Sequence, residues 1–181
     1  HLQRFDPDAD DEESSSSSGG SRKNDRPIEE VLDDGQEVLV QISKDPIGTK
    51  GARLTSRISI PGRYLVFMPT VDHLGISRQI TSEEERDRLR TIADEMRPPG
   101  GGFIVRTASE GVPRNVLRED MRLLIAQWNQ TLAKRKDAKP PALLDREFDL
   151  ILRATRDLAT AELDRIVIDS REDYDRVMDF I

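Results

Sequence analysis

Residues 6 to 26, DPDADDEESSSSSGGSRKNDR, contain no apolar side chains beyond those of Pro7 and Ala9. Such a stretch buries too little surface to offset the entropy lost on ordering it. It therefore stands outside any core and reads as a flexible acidic and serine-rich insertion. Phosphorylation of the serines, or competition with a polyanionic ligand, are its functional readings; a plain solvated insertion is the simpler one. Whatever folds is assembled from Pro27 onward, which leaves room for one domain or two small ones.

Short β-type segments come first. EVLVQI (37 to 42) alternates, and so does ARLTSRISI (52 to 60), with Leu54, Ser56, Ile58 and Ile60 on one side. Turn residues separate them, from Asp45-Pro46 through Gly48 to Lys50-Gly51, which predicts an antiparallel hairpin with a basic tip. A third strand is expected from Tyr64 to Met68. A helix then starts at Thr81 or Ser82, where Ser82 and Glu85 have capping-box spacing, and ends before Pro98-Pro99 with Leu89, Ile92, Ala93 and Met96 on one face. After Gly100-Gly101-Gly102 comes a strand from Phe103 to about Ala108. A longer helix follows from about Asn115 to Lys134, carrying Leu117, Met121, Leu124, Ile125, Trp128 and Leu132 at helical spacing. Beyond Lys139-Pro140-Pro141 the pattern predicts a helix from Leu150 to Ala159, a buried strand RIVID from Arg165 to Asp169, and a Ser170-capped helix to Phe180. One strand and two helices do not close a core, and the chain begins at His1 rather than Met, so both ends are expected to be cut.

Several chemistries are excluded or weakened at once. There is no cysteine, which removes disulfides, thiolate metal sites and cysteine nucleophiles. His1 and His73 are far apart with no second ligand at metal spacing, and the triple glycine is neither a Walker loop nor a dinucleotide fingerprint. Asp33-Asp34 and Glu83-Glu84-Glu85 read as solvated acidic pairs, the latter at a helix start. No apolar run approaches the roughly 18 residues of a membrane span, and the N-terminus lacks the basic and apolar regions of a signal peptide.

The net charge of −7 argues against a phosphate-rich partner, yet it is unevenly spread. Residues 1 to 30 hold nine acidic against four basic side chains, a net of −5. From Lys44 to Arg78 six basic residues (Lys44, Lys50, Arg53, Arg57, Arg63, Arg78) face only Asp45 and Asp72, a net of +4. Arg53 and Arg57 share strand parity, so they are expected on one solvent face, as a surface suited to a phosphodiester backbone or as the polar side of a half-buried sheet. Arg106-Thr107 ends a strand after the glycines, where a guanidinium fork and a hydroxyl suit a terminal phosphate. As a local pattern alone, an Arg-Thr at a strand end is far more often structural.

Read in order, DDGQEVLVQISKDPIGTKGARLTSRISIPGRYLVFMP (33 to 69), GISRQI (75 to 80), GGFIVRTAS (101 to 109), the Trp128 helix, LRATRDL (152 to 158) and RIVID resemble the ribonuclease E/G family of bacterial endoribonucleases, over about residues 27 to 181. The resemblance implies an α+β chain: the C-terminal part of an OB-type (S-one-like) RNA-binding β-barrel over 1 to 60, a mixed α/β 5′-sensor domain over 61 to 150, and the start of an RNase H-like domain over 151 to 181. It implies a cytoplasmic parent enzyme, single-strand-specific and homo-oligomeric, that prefers 5′-monophosphorylated RNA in mRNA decay and rRNA processing. Catalysis would use Mg²⁺ bound by carboxylates of a deoxyribonuclease-I-like domain outside this chain, so this fragment alone is expected to be inactive, with no catalytic or metal-ligating residue of its own. By matching motif, Arg106 and Thr107 would grip the 5′ phosphate with the backbone of Val66, while Lys50 and Arg78 would contact RNA. Two departures stand out: Arg78 is followed by Gln79 where many members have a second arginine, and the early barrel strands with their stacking aromatics are missing. The rival reading is a non-catalytic RNA-binding adaptor; a protein-interaction module with a merely solvated basic sheet is the blander one.

Overall fold

The computed structural model describes residues 27 to 159 and 163 to 181, so the insertion read at 6 to 26 lies outside the described residues. The chain divides into two compact units, His1–Val38 and Leu39–Ile181. In the first, a 3-10 turn spans Ile28–Glu30, and a second turn at 33 to 36 has Gly35 at φ 78°.

The second unit opens with β1 (Gln41–Lys44) and β2 (Arg53–Thr55), an antiparallel pair with Gln41 opposite Thr55. Its tip is a tight turn in which Ile47 and Lys50 exchange backbone hydrogen bonds around Gly48, whose φ of 58° matches a primed hairpin turn. The first strand is displaced from the expected 37 to 42 because its partner stops pairing. After Thr55 the chain bends, and the Arg57 N–H donates to Thr55 Oγ1, so among the described residues the ladder ends at the Gln41–Thr55 pair. The Gln41 side chain extends the ladder instead: Oε1 accepts from Ser59 N at 2.8 Å and Nε2 donates to Ser59 O at 2.9 Å. The same bend corrects the expected common face. Ile58 and Ile60 enter the core, whereas Leu54 is 56 % exposed.

A four-stranded sheet follows in the order β3-β4-β6-β5, from β3 (Ile60–Pro61), β4 (Leu65–Met68), β5 (Leu74–Ile76) and β6 (Gly102–Val105). β4 is antiparallel to both β3 and β6, whereas β5 runs parallel to β6. Helix α1 (Glu83–Met96) makes the crossover that a parallel pair requires. Ser82 caps it by accepting from Glu85 N, as the capping box predicts. The Glu85 carboxylate, however, turns to Arg88 and to the N–H of Gly111.

Leu65, Phe67, Phe103 and Val105 alternate onto one sheet face and pack on Leu89, Ile92 and Ala93 of α1 and on Leu117, Met121 and Leu124 of α2 (Arg114–Asp137). Phe67 and Phe103 are cross-strand partners with ring centroids 5.0 Å apart. Gly102 is required by close approach, since a Cβ there would fall 1.9 Å from the carbonyl oxygen of His73.

Helices α3 (Leu150–Leu158) and α4 (Arg171–Phe180) close the chain, with Phe148 and Phe180 in edge contact at 5.0 Å. The expected strand over RIVID does not form. Among the described residues it has no pairing partner, and Val167 is 78 % exposed. A strand without a neighbour has no ladder to join.

Candidate functional site

The C-terminal end of β6 delivers Arg106 and Thr107 to the rim of the sheet, and backbone bonds fix them there. Arg106 N donates to Tyr64 O at 2.9 Å, the buried Ser109 hydroxyl donates to the same oxygen at 2.7 Å, and Ser77 N donates to Val105 O at 2.9 Å. The end of β5 is thereby laid against the end of β6, which joins the GISRQI and VRTA segments in space. Thr107 Oγ1 lies 2.9 Å from Ser77 Oγ and donates to Gln79 Oε1 at 3.0 Å. The loop bearing Ser77, Arg78 and Gln79 is braced from α1 by Arg86, whose Nη1 donates to the carbonyls of Ser77 and Ile80. Ile80 anchors it in the core, while Arg78, Gln79 and Thr107 are exposed.

Arg106 is placed differently from an open fork. Its Nη1 donates to Gly62 O at 2.6 Å and to Arg63 O at 3.0 Å, and the guanidinium faces Asp157 at 3.3 Å (Nη1 to Oδ1) and 3.4 Å (Nη2 to Oδ2). Arg156 shares that carboxylate, with Nε 3.0 Å from Oδ1, and is itself held by donating from Nη1 to Pro61 O at 2.7 Å. Arg63 donates to Ala159 O at 2.7 Å, at the C-terminal end of α3 where the helix dipole favours a cation. Burial works against ionisation of Asp157, but the hydrogen bonds from Arg156 and Arg106 outweigh it and hold its carboxyl below the usual aspartate range.

Asp120 of α2 holds the other side of the turn. It accepts from the backbone N–H groups of Tyr64 at 3.0 Å and Leu65 at 3.1 Å, and more weakly from Arg63 at 3.4 Å. Burial pushes its carboxyl above the ordinary value, and the backbone N–H groups only partly offset this. The turn whose carbonyls seat Arg106 is thus pinned from beneath by a helix carboxylate.

The structure brings Arg106, Thr107 and the Arg78 loop into one region. Val66 lies inside the sheet, opposite Pro61 on one side and Ile104 on the other, with its side chain 2 % exposed. Lys50 is exposed at the hairpin tip, on the separate two-stranded sheet. Asp120, Arg156 and Asp157 had no sequence signal for this role. Adjacent helical residues such as Arg156 and Asp157 do not face each other by spacing, and their convergence on Arg106 depends on where α3 docks. Among the described residues no group of three histidine or carboxylate side chains is arranged to hold a metal ion, and no helix is long and apolar enough to cross a membrane.

The rim of the sheet thus carries the Thr107 hydroxyl, the polar Ser77–Gln79 loop, and an Arg106 guanidinium held by two backbone carbonyls and Asp157. The chain matches the Ribonuclease E/G family over residues 59 to 181, and it belongs to that family. It is 46 % identical over 155 residues to Ribonuclease G of Escherichia coli, covering 86 % of this chain and 32 % of that protein. It is 44 % identical over 154 residues to Ribonuclease E of a Nostoc species, covering 85 % of this chain and 22 % of that protein, and 40 % identical over 153 residues to Ribonuclease G of Haemophilus influenzae. The chain therefore spans a third or less of the length of these relatives.

Proposed function

We propose that this chain is the RNA-binding and 5′-monophosphate-sensing portion of a cytoplasmic, single-strand-specific endoribonuclease of mRNA decay and rRNA processing. The observation that carries this reading is the meeting of Arg106-Thr107, at the end of β6, with the Ser77–Gln79 loop after β5. A terminal phosphate has a second ionisation near pH 6 and three acceptor oxygens, and a guanidinium beside hydroxyl donors is matched to it. The exposed Thr107 hydroxyl bonds to the side chains of half-buried Ser77 and exposed Gln79, and a phosphate oxygen can take the place of either as its partner. Arg78 extends the positive charge along the rim, and Lys50 and the exposed arginines of the hairpin supply a second, backbone-tracking surface.

In this reading residues 1 to 60 contribute to an OB-type barrel, 61 to 150 form the sensor, and 151 to 181 begin an RNase H-like region. The backbone of Val66 completes the phosphate pocket. Cleavage falls to carboxylate-bound Mg²⁺ in a part of the homo-oligomeric parent outside this chain, and the chain alone binds RNA without cutting it. The captured 5′ end orients the strand and takes no part in the chemistry.

The test compares fluorescent single-stranded RNA oligomers carrying a 5′ monophosphate or a 5′ hydroxyl, bound to the wild-type chain, Arg106→Ala and Thr107→Ala. The wild type is expected to hold the monophosphate more tightly, with the preference reduced about tenfold or more in each variant. Equal affinity for both oligomers in all three proteins removes the sensor assignment.

A further inference from the structure

We propose that Asp157 is an internal counter-anion of the phosphate site: it occupies the Arg106 fork in the free protein, and a 5′ phosphate binds by displacing it. This deepens the 5′-phosphate reading above and rests on it.

The first support is the division of labour around Arg106. Its position is set by backbone carbonyls, at 2.6 Å to Gly62 O and 3.0 Å to Arg63 O. The carboxylate contacts, at 3.3 and 3.4 Å, are long beside the about 2.7 to 2.9 Å of a strong charge-assisted bond. The guanidinium therefore keeps its place when the carboxylate leaves.

The second is that Asp157 has another holder. Arg156 Nε lies 3.0 Å from Oδ1, and Arg156 is anchored independently on Pro61 O at 2.7 Å. Release from Arg106 leaves the Asp157 charge still paired, so exchange avoids the penalty of a half-buried, uncompensated carboxylate. Three guanidinium groups, Arg63, Arg106 and Arg156, gather about Asp157 and the end of α3, with the Asp120 carboxylate also facing Arg156, which still leaves net positive charge for an incoming anion.

The third is that the two occupants compete for the same groups. A carboxylate and a phosphate both accept from the paired N–H groups of a guanidinium, and one fork does not serve both in full. A ligand that must first open a closed site binds more weakly by the open fraction, and this handicap falls on every anion alike. A terminal phosphate, with its greater charge and third oxygen, overcomes it where a singly charged internal diester does not. Because Asp157 is the penultimate residue of α3, occupancy of the site also reports to that helix.

The test uses Asp157→Asn, which keeps an acceptor for Arg156 and removes the charge, with Asp157→Glu as the charge-conserving control. Binding of 5′-monophosphate and 5′-hydroxyl RNA oligomers to each is read by fluorescence anisotropy. Asp157→Asn is expected to bind the monophosphate oligomer about three- to tenfold more tightly than the wild type, and Asp157→Glu within about twofold of it. A loss of packing alone does not produce a gain of affinity. In the wild type, hydrogen exchange of the α3 amides is expected to accelerate when the monophosphate oligomer is added, a readout independent of whether the variants fold. If the wild type discriminates between the oligomers but Asp157→Asn binds the monophosphate no better, or α3 exchange is unchanged or slowed, the counter-anion role is overturned and the site stands. If neither wild type nor Asp157→Asn discriminates, the phosphate site falls and this role with it.

Discussion

Gly62 and Asp120 show how a single position governs the rim. A Cβ on Gly62 would lie 2.8 Å from Asp120 Oδ2 and 2.9 Å from both Leu124 Cδ1 and Leu65 O, so Gly62→Ala must push the turn off the helix. Asp120→Ala removes the acceptor of the Tyr64 and Leu65 N–H groups. Each change is expected to destabilise the chain by about 1 to 3 kcal/mol in urea unfolding, and to weaken 5′-monophosphate binding because the carbonyls that seat Arg106 shift. Unaltered binding in a folded Gly62→Ala protein would show that the turn does not position Arg106. Arg106 and Thr107 stood out in the sequence because a strand end after glycines exposes them. Asp120 and Asp157 did not, because a carboxylate on an amphipathic helix looks the same whether it meets solvent or a buried turn.

At the scale of elements, periodicity and capping placed α1 and α2 within a few residues of where they form. The Ser82 cap is correct, and Ser82→Ala is expected to lower stability by about 1 kcal/mol in thermal or urea unfolding. Glu85 was legible only as the second half of a capping box, while its actual partners lie elsewhere. Hydrogen bonds from Arg88, against a smaller opposing effect of burial, hold its carboxyl down from the ordinary 4.5 to about 2. A depressed carboxylate stabilises the fold fully above its unfolded value and loses that contribution as pH falls through its folded one. The melting-temperature difference between wild type and Glu85→Gln is therefore expected to be constant at neutral pH and to disappear between about pH 4.5 and pH 2. A difference that persists at pH 2 would place the effect in packing rather than charge. The strand elements were less legible. Alternation in 52 to 60 gave no warning of the bend after Thr55, because a local Thr55–Arg57 hydrogen bond ends the ladder without disturbing the pattern. RIVID failed for the complementary reason: β-type residues make a strand only where a neighbour offers free N–H and C=O groups.

Across the whole molecule the net charge of −7 conceals opposed regions, an acidic start and a basic stretch from 44 to 78. Deleting residues 6 to 26 removes seven acidic and three basic side chains, a change of +4. RNA affinity is expected to rise at low salt and to converge with that of the intact chain as salt screens the difference. Equal affinity at low salt would mean that the tract lies far from the RNA path. The segments that mark the family could be read along the chain, as could the helices, the hairpin and the residues carried to the end of β6, since these depend on local spacing, turn chemistry and the order of motifs. Only the tertiary structure decided that β5 lies beside β6, that Thr107 meets Ser77 and Gln79, and that Arg106 is closed by Asp157. These pairings join residues tens of positions apart, and they exist only once the core formed by the sheet and the two central helices sets the distance between them.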